Sequence, residues 1–260
     1  MNIRQIRSSK HQLAGLAVVL AAAMGLARAA DLQPVTRVYV VTVPAAQDHA
    51  FNVGVKAWEK CLRDHGTKQT TYTYDAETGD MSRYLFLNGY STWGDMDAHD
   101  AAGKACMATF GTEVLPHVGQ AFSEISLLNA KATYMPGGDA VPAPMLWADV
   151  YRIKAGQDPA FHEALRQFAA GAAKTHWDGH FAGYDIAGAG PGGEDFVIIW
   201  PNKSWADAGQ DPSPSADDMM AKVYGMAAAE SMHQQFLAAI AEHWSDVWSY
   251  DKDLSVVPGM

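Results

Sequence analysis

The chain has 260 residues, 19 Lys+Arg against 29 Asp+Glu, and 48% hydrophobic residues. An acidic chain with no basic cluster repels phosphate backbones and anionic lipid, which argues against nucleic acid and membrane-surface partners. An apolar share this high, with 18% charged residues, argues against disorder.

Residues 1–29 read as a secretory signal peptide. Arg4, Arg7 and Lys10 precede an apolar run from Leu13 to Leu26, and Ala27-Arg28-Ala29 puts small residues at the cleavage positions. The run is short for a membrane span, and no later stretch reaches the roughly 20 apolar residues a span needs. Cleavage after Ala29 leaves 15 Lys+Arg against 29 Asp+Glu, a formal charge of −14 in place of −10. The expected product is periplasmic or secreted.

Beyond the leader, Val38 to Val43 is β-branched and lies between Pro34 and Pro44, which reads as a strand. Gln47-Asp48 offers a helix start. Phe51, Val55, Trp58 and Leu62 then follow at helical spacing, and Gly66 closes the helix. Thr70 to Tyr74 and Arg83 to Leu87 read as a strand pair around the turn Thr78-Gly79-Asp80. A second helical region runs from Ser91 to about Val118, and Phe122 to Leu128 closes the unit as a strand.

The same order then returns. Trp147 to Ile153 is a strand, and Gln157-Asp158-Pro159 starts a helix with Pro in its first turn. Phe161, Leu165, Phe168 and Ala172 form its apolar stripe. Phe181 to Ile186 pairs with Phe196 to Trp200. A broken helical region follows from Ser204 to about Trp244, with Ser215 and Asp218 as a capping box, and Asp246 to Tyr250 is the last strand. At an offset of 110, Val40, Ala45, Gln47, Asp48, Ala50 and Phe51 meet identical residues. At an offset of 112, Trp93 and Asp95 meet Trp205 and Asp207, while Tyr84 and Phe86 meet Phe196 and Ile198. Two ordered matches point to internal duplication. The expected division is a first unit at 30–134, a Pro/Gly-rich linker at 135–144 and a second unit at 145–260.

Each half reads β-α-β-β-α-β, the split βαβ or ferredoxin-like order, giving an α+β fold whose sheet has one uncovered apolar face. Two tandem copies packed sheet to sheet solve this, so the chain resembles an internally duplicated member of the dimeric α+β barrel superfamily. That resemblance implies a ligand cavity in one unit, between sheet and helices or inside the barrel. Its relatives include cofactor-independent monooxygenases, small-molecule-degrading enzymes and haem enzymes. No motif carries a catalytic residue across. The Gly-x-x-Asp-Gly of the dye-decolorizing peroxidases is absent, and a chlorite dismutase-like identity would suit the size and leader without support from any motif.

Cys61 and Cys106 are the only cysteines and fall on the two helices of the first unit. Those helices are neighbours in this topology, so the pair is a disulfide candidate in an oxidising compartment. The alternative is two buried thiols. Two cysteines alone do not make a structural zinc site, and no metal is expected.

Among polar candidates, Asp149 and Tyr151 share a strand face and are the first pocket candidates. His176 and His180 flank Trp177-Asp178-Gly179, where Gly179 is expected to end the helix. Glu230 and His233 make a single Glu-x-x-His on a helix, short of the pair a di-iron site needs. One of His176, His180, His233 or His243 would be the ligand of a haem, the cofactor the resemblance leaves open. Gly188 to Gly193 spells G-x-G-x-x-G, but a strand follows in place of a helix, so it reads as a hairpin loop.

Eight Trp and ten Tyr form a large aromatic complement. It suits either a core or a cavity for an apolar or aromatic molecule. Trp93 and Trp205 are expected to anchor their helices to the sheet. Three functions stay open at this point: an exported small-molecule binder, an oxygenase or haem enzyme, and an assembly module.

Overall fold

The computed structural model describes residues 34–97, 101–137 and 142–258. Residues 1–29, read from the sequence as a signal peptide, lie outside them. Eight strands carry the fold: β1 (Val35–Thr42), β2 (Thr71–Ala76), β3 (Arg83–Tyr90), β4 (Gln120–Leu128), β5 (Met145–Ile153), β6 (Ala182–Gly188), β7 (Phe196–Asn202) and β8 (Ile240–Val256). Between them lie α1 (Asp48–Asp64), α2 (Trp93–Asp97), α3 (Ala101–Thr109), α4 (Asp158–Thr175), α5 (Trp205–Ala208), α6 (Ala216–Tyr224) and α7 (Met226–Ala239).

The strands close into a barrel in the order β1-β3-β2-β8-β5-β7-β6-β4, and β4 returns to β1. Each half therefore has its own antiparallel sheet, with order 4-1-3-2 in the first and the same order in the second. The sheets meet face to face across the barrel interior. They also join at both edges, through β2–β8 and β4–β6. Closure leaves no free strand edge in this sheet, and a free edge is the usual liability of an antiparallel sheet.

Strand alternation then divides the core. Val38, Tyr74, Leu85, Leu146, Val150 and Trp248 point into the barrel. Their neighbours point out under the helices. Val41, Tyr84 and Phe86 pack against Phe51 and Val55 of α1 in the first half. Tyr151, Phe181 and Phe196 pack against Phe161 and Leu165 of α4 in the second.

The duplicated residues sit in the expected register. Asp48 and Asp158 each open a helix, and Phe51 and Phe161 are 1% and 0% exposed. Gln47 makes no side-chain cap, however, and Asp48 accepts instead from the Tyr84 hydroxyl at 2.5 Å. Gly66 follows α1 at φ +68°, the left-handed region where glycine is unstrained. A Cβ on Gly54 would stand 1.8 Å from the Glu113 carbonyl oxygen, so glycine there lets α1 touch the π-helical turn Phe110–Val114. Cys61 and Cys106 form a disulfide that ties α1 to α3.

Several boundaries differ from expectation. The last helix ends at Ala239 and β8 begins at Ile240, so Glu242 and His243 lie on a strand. β8 is long because it serves both sheets, pairing β5 with its first part and β2 with its last. α4 ends at Thr175 with His176 itself left-handed at φ 51°, three residues before Gly179. Trp93 and Trp205 do open short helices, but they are 53% and 52% exposed and do not anchor them. Ser215 caps α6 by accepting from the Asp218 amide at 3.2 Å, as the capping-box spacing predicted.

Candidate functional site

The barrel interior holds a cavity of about 1600 Å³. Inward residues of both sheets line it, chiefly Val38, Val40, Leu85, Leu87, Leu146 and Val150. Aromatic walls come from Tyr72, Tyr74, Tyr184, Trp244 and Trp248. The cavity reaches solvent near the disulfide, where His65, Lys68 and Met107 form its rim. Size, apolar lining and a few placed polar groups are the ordinary marks of a small-molecule site.

Two polar features interrupt the apolar wall. In the first, Arg83 meets Asp246 through both carboxylate oxygens, at 2.6 and 3.3 Å, and its guanidinium lies 5.0 Å from the Trp248 ring centre. This pair neutralises itself and is further satisfied by the ring face. The second is Glu124 on β4, which points inward with Phe122 and Ser126. It is 5% exposed, and its Oε1 accepts from the Ser126 hydroxyl at 3.3 Å. Glu194 from the β6–β7 hairpin lies within hydrogen-bond reach of the Glu124 carboxyl, so the two acids can share one proton, while Oε2 accepts from no N–H or hydroxyl among the described residues. Burial first, and the Glu194 carboxylate second, push Glu124 up to about 8. At neutral pH it is therefore mostly a neutral acid inside an apolar chamber. Burial also raises Tyr74 and Tyr184, which stay protonated hydroxyls.

The residues singled out from the sequence lie elsewhere. Asp149 and Tyr151 share a face of β5, but it is the face beneath the helices. Asp149 accepts from Trp200 Nε1 at 2.8 Å and from the Ser245 hydroxyl at 2.5 Å. Tyr151 stacks on His243 with ring centres 4.7 Å apart, and His243 Nε2 is 3.5 Å from Asp149. These three residues come together as a satisfied cluster packed against Phe161 and Phe236. His176 is exposed at the end of α4, His180 sits beside Pro144 and Asn202, and His233 is exposed 3.7 Å from Asp217. None of the five candidates lines the barrel cavity. The four histidines considered for haem are scattered, and none faces the chamber, so these residues do not fit an axial ligand there. Cys61, Cys106 and His65 cluster within 4.8 Å, but the two sulfurs are spent on each other as a disulfide.

Glu124 escaped the sequence reading because an acid inside Phe-Ser-Glu-Ile-Ser looks like a solvent-facing strand residue. The available signal was parity. Glu124 alternates in phase with Phe122 and Ser126, and only the closed barrel shows that this phase points inward.

No protein-family model matches the sequence, and no curated protein matches it. Solved structures do. An anthrone oxidase-like protein aligns over 88% of this chain and 95% of its own, at 13% identity and a TM-score of 0.55. A candidate monooxygenase from Lactobacillus acidophilus aligns over 88% and 98%, at 9% identity and 0.51. A chlorite dismutase variant from Candidatus Nitrospira defluvii aligns over 86% and 94%, at 10% identity and 0.52. The fold is the dimeric α+β barrel. In this chain both ferredoxin-like halves of that barrel are supplied in tandem. At these identities the likeness speaks for the fold alone. No helix among the described residues is long and apolar enough to cross a membrane.

Proposed function

We propose that the chain is an exported binding protein whose ligand, a small apolar or aromatic molecule, occupies the barrel interior. The cavity of about 1600 Å³, walled by aliphatic and aromatic side chains from both sheets, carries this reading. The disulfide agrees with an oxidising compartment, and the basic-then-apolar leader with export. Trp244 and Trp248 face the chamber, so ligand entry should quench or shift tryptophan fluorescence. Native mass spectrometry of the freshly purified protein, followed by the same after denaturing extraction, tests the reading. A co-purified small molecule, or saturable binding of 1-naphthol, supports it. An empty protein that binds no apolar aromatic probe contradicts it.

A second reading has one observation in its favour. An acid held near neutrality inside an apolar chamber is suited to proton abstraction. The likeness to an anthrone oxidase-like protein and a candidate monooxygenase points toward a cofactor-independent oxygenase with Glu124 as base. Oxygen uptake with anthrone that is lost in Glu124→Gln would select this reading over simple binding.

A further inference from the structure

The polar lining of the chamber is unequal. Arg83 and Asp246 cancel, while Glu124 and Glu194 share one wall with no basic group among the interactions that set the Glu124 carboxyl. Glu124 is 5% exposed, and its Oε2 accepts from no N–H or hydroxyl among the described residues. In the free chain a proton held between the two acids takes this position, and a cation that donates to both carboxylates can take its place. Accepting on that wall favours a donor, and two adjacent carboxylates favour a positive one.

We propose that the Glu124–Glu194 wall selects a ligand that carries a protonated amine on an apolar or aromatic body. This inference rests on the cavity-binding reading and narrows it. The ammonium replaces the proton of Glu124 as the partner of Oε2, while the apolar body lies along the aliphatic and aromatic walls. Binding therefore drives a proton from Glu124 to solvent. The lining also holds Glu194 beside Glu124, Tyr72, Tyr74, Tyr90, Tyr184 and the Arg83–Asp246 pair; β1 brings only Thr36, Val38 and Val40. The remaining charged groups, Lys68, Lys104, Asp95 and His65, stand at the exposed rim. Burial keeps the protons on Tyr74 and Tyr184, so Glu124 is the group whose titration the amine feels.

The test is isothermal titration calorimetry with three probes of one shape: 2-(1-naphthyl)ethylamine, 2-(1-naphthyl)ethanol and 1-naphthylacetate. Near about pH 9, below the titration of a primary alkylammonium, the amine should bind at least about tenfold more tightly than the alcohol. Below the Glu124 titration its affinity should fall by up to about tenfold per pH unit, while the alcohol's stays flat. Titrations at about pH 6.5 in buffers of different ionisation enthalpy should show close to one proton released per amine bound. Glu124→Gln should bring the amine's advantage below about threefold and abolish proton release, with alcohol binding retained as the check on folding. Glu194→Gln should move the pH dependence to lower pH, because it removes the like charge beside Glu124.

Alcohol binding with no advantage for the amine overturns this inference and leaves the cavity reading standing. So does an amine preference that survives Glu124→Gln. Failure of all three probes to bind overturns the cavity reading and the inference with it.

Discussion

The two halves place the same elements in the same register, yet they fill the layer between sheet and helices differently. In the second half Phe161 lies within 5.1 to 5.5 Å of the Tyr151, Phe196 and Phe236 ring centres. In the first half its counterpart Phe51 meets Tyr84 at 4.8 Å, and Tyr84 is bonded to Asp48 and Asn52. One substitution of the repeat explains much of this. Tyr84 stands where the second half has Phe196, so a hydroxyl enters the layer and needs polar partners.

A second pair of positions is more telling. Asp75 and Asp185 occupy equivalent places, opposite Tyr84 and Phe196. The helix residue above Asp185 is His162, 2.6 Å away, and that hydrogen bond, assisted by Asp158, raises the imidazole to about 9. The equivalent residue in the first half is Asn52, which turns to Tyr84 instead. Asp75 Oδ1 is then left without a partner among the described residues, and burial with Asp251 and Asp48 nearby pushes Asp75 up to about 6. Glu59, on the buried face of α1, rises to about 7 chiefly through burial. Among the described residues, the second half thus satisfies its buried polar side chains, whereas the first carries unsatisfied acids and adds a disulfide across its helices. The two halves share one frame but hold two electrostatic regimes inside it.

The largest effect should come from the aromatic centres. Phe161→Ala and Phe51→Ala should each cost about 3–5 kcal/mol in guanidinium unfolding, since both side chains are essentially fully buried. The transition should stay single in both variants, because the β2–β8 and β4–β6 seams bind the halves into one barrel. Two separated transitions would break the picture of a shared barrel.

Next comes the bridge. Replacing both Cys61 and Cys106 by Ala should cost about 2–4 kcal/mol for a loop of 45 residues, and should speed hydrogen exchange in α1 and α3 before α4. Equal loosening of both halves would deny the bridge a local role.

The third prediction concerns pH. Glu59, Asp75 and Glu124 have folded-state values raised above their unfolded ones, so the folded state binds protons more strongly. Stability should then decline as pH rises from about 4 to about 8, apart from the His162 contribution. Glu124→Gln should flatten the upper part of that decline and raise stability at about pH 9 by about 1–3 kcal/mol. Urea midpoints measured across pH check this, and a variant less stable than wild type at high pH would contradict it.

The smallest effect is expected at His162. Its raised value means the contribution is full below about pH 6.5 and is lost as pH rises through about 9. Both partners are partly exposed, so His162→Asn should cost at most about 1 kcal/mol at about pH 6 and nothing measurable at about pH 10. A cost that is independent of pH would assign His162 a packing role only.

Much of the fold was legible in the sequence. The offsets of 110 and 112 aligned Asp48 with Asp158, Phe51 with Phe161 and Tyr84 with Phe196, and each pair occupies matching places in the barrel. The end of the last helix was not legible, because the extent of β8 is set by two partner strands and not by local pattern. The site was harder still. Alternation says that Asp149 and Tyr151 share one face and Phe122 and Glu124 another, but it does not say which face looks into the barrel. That is fixed by ring closure, a contact between strands far apart in sequence. A pocket-lining acid and a solvent-facing acid are therefore spelled alike, and Glu124 emerged only with the three-dimensional arrangement.

The central claim is that the barrel interior, and not the space between sheet and helices, receives the ligand. The most direct measurement is a crystal structure of the protein with 2-(1-naphthyl)ethylamine bound. The account predicts the naphthyl ring inside the barrel near Trp244 and Trp248, with the amine at Glu124 Oε2. A collapsed interior, or the probe lodged between β5 and α4 beside Tyr151, would contradict it.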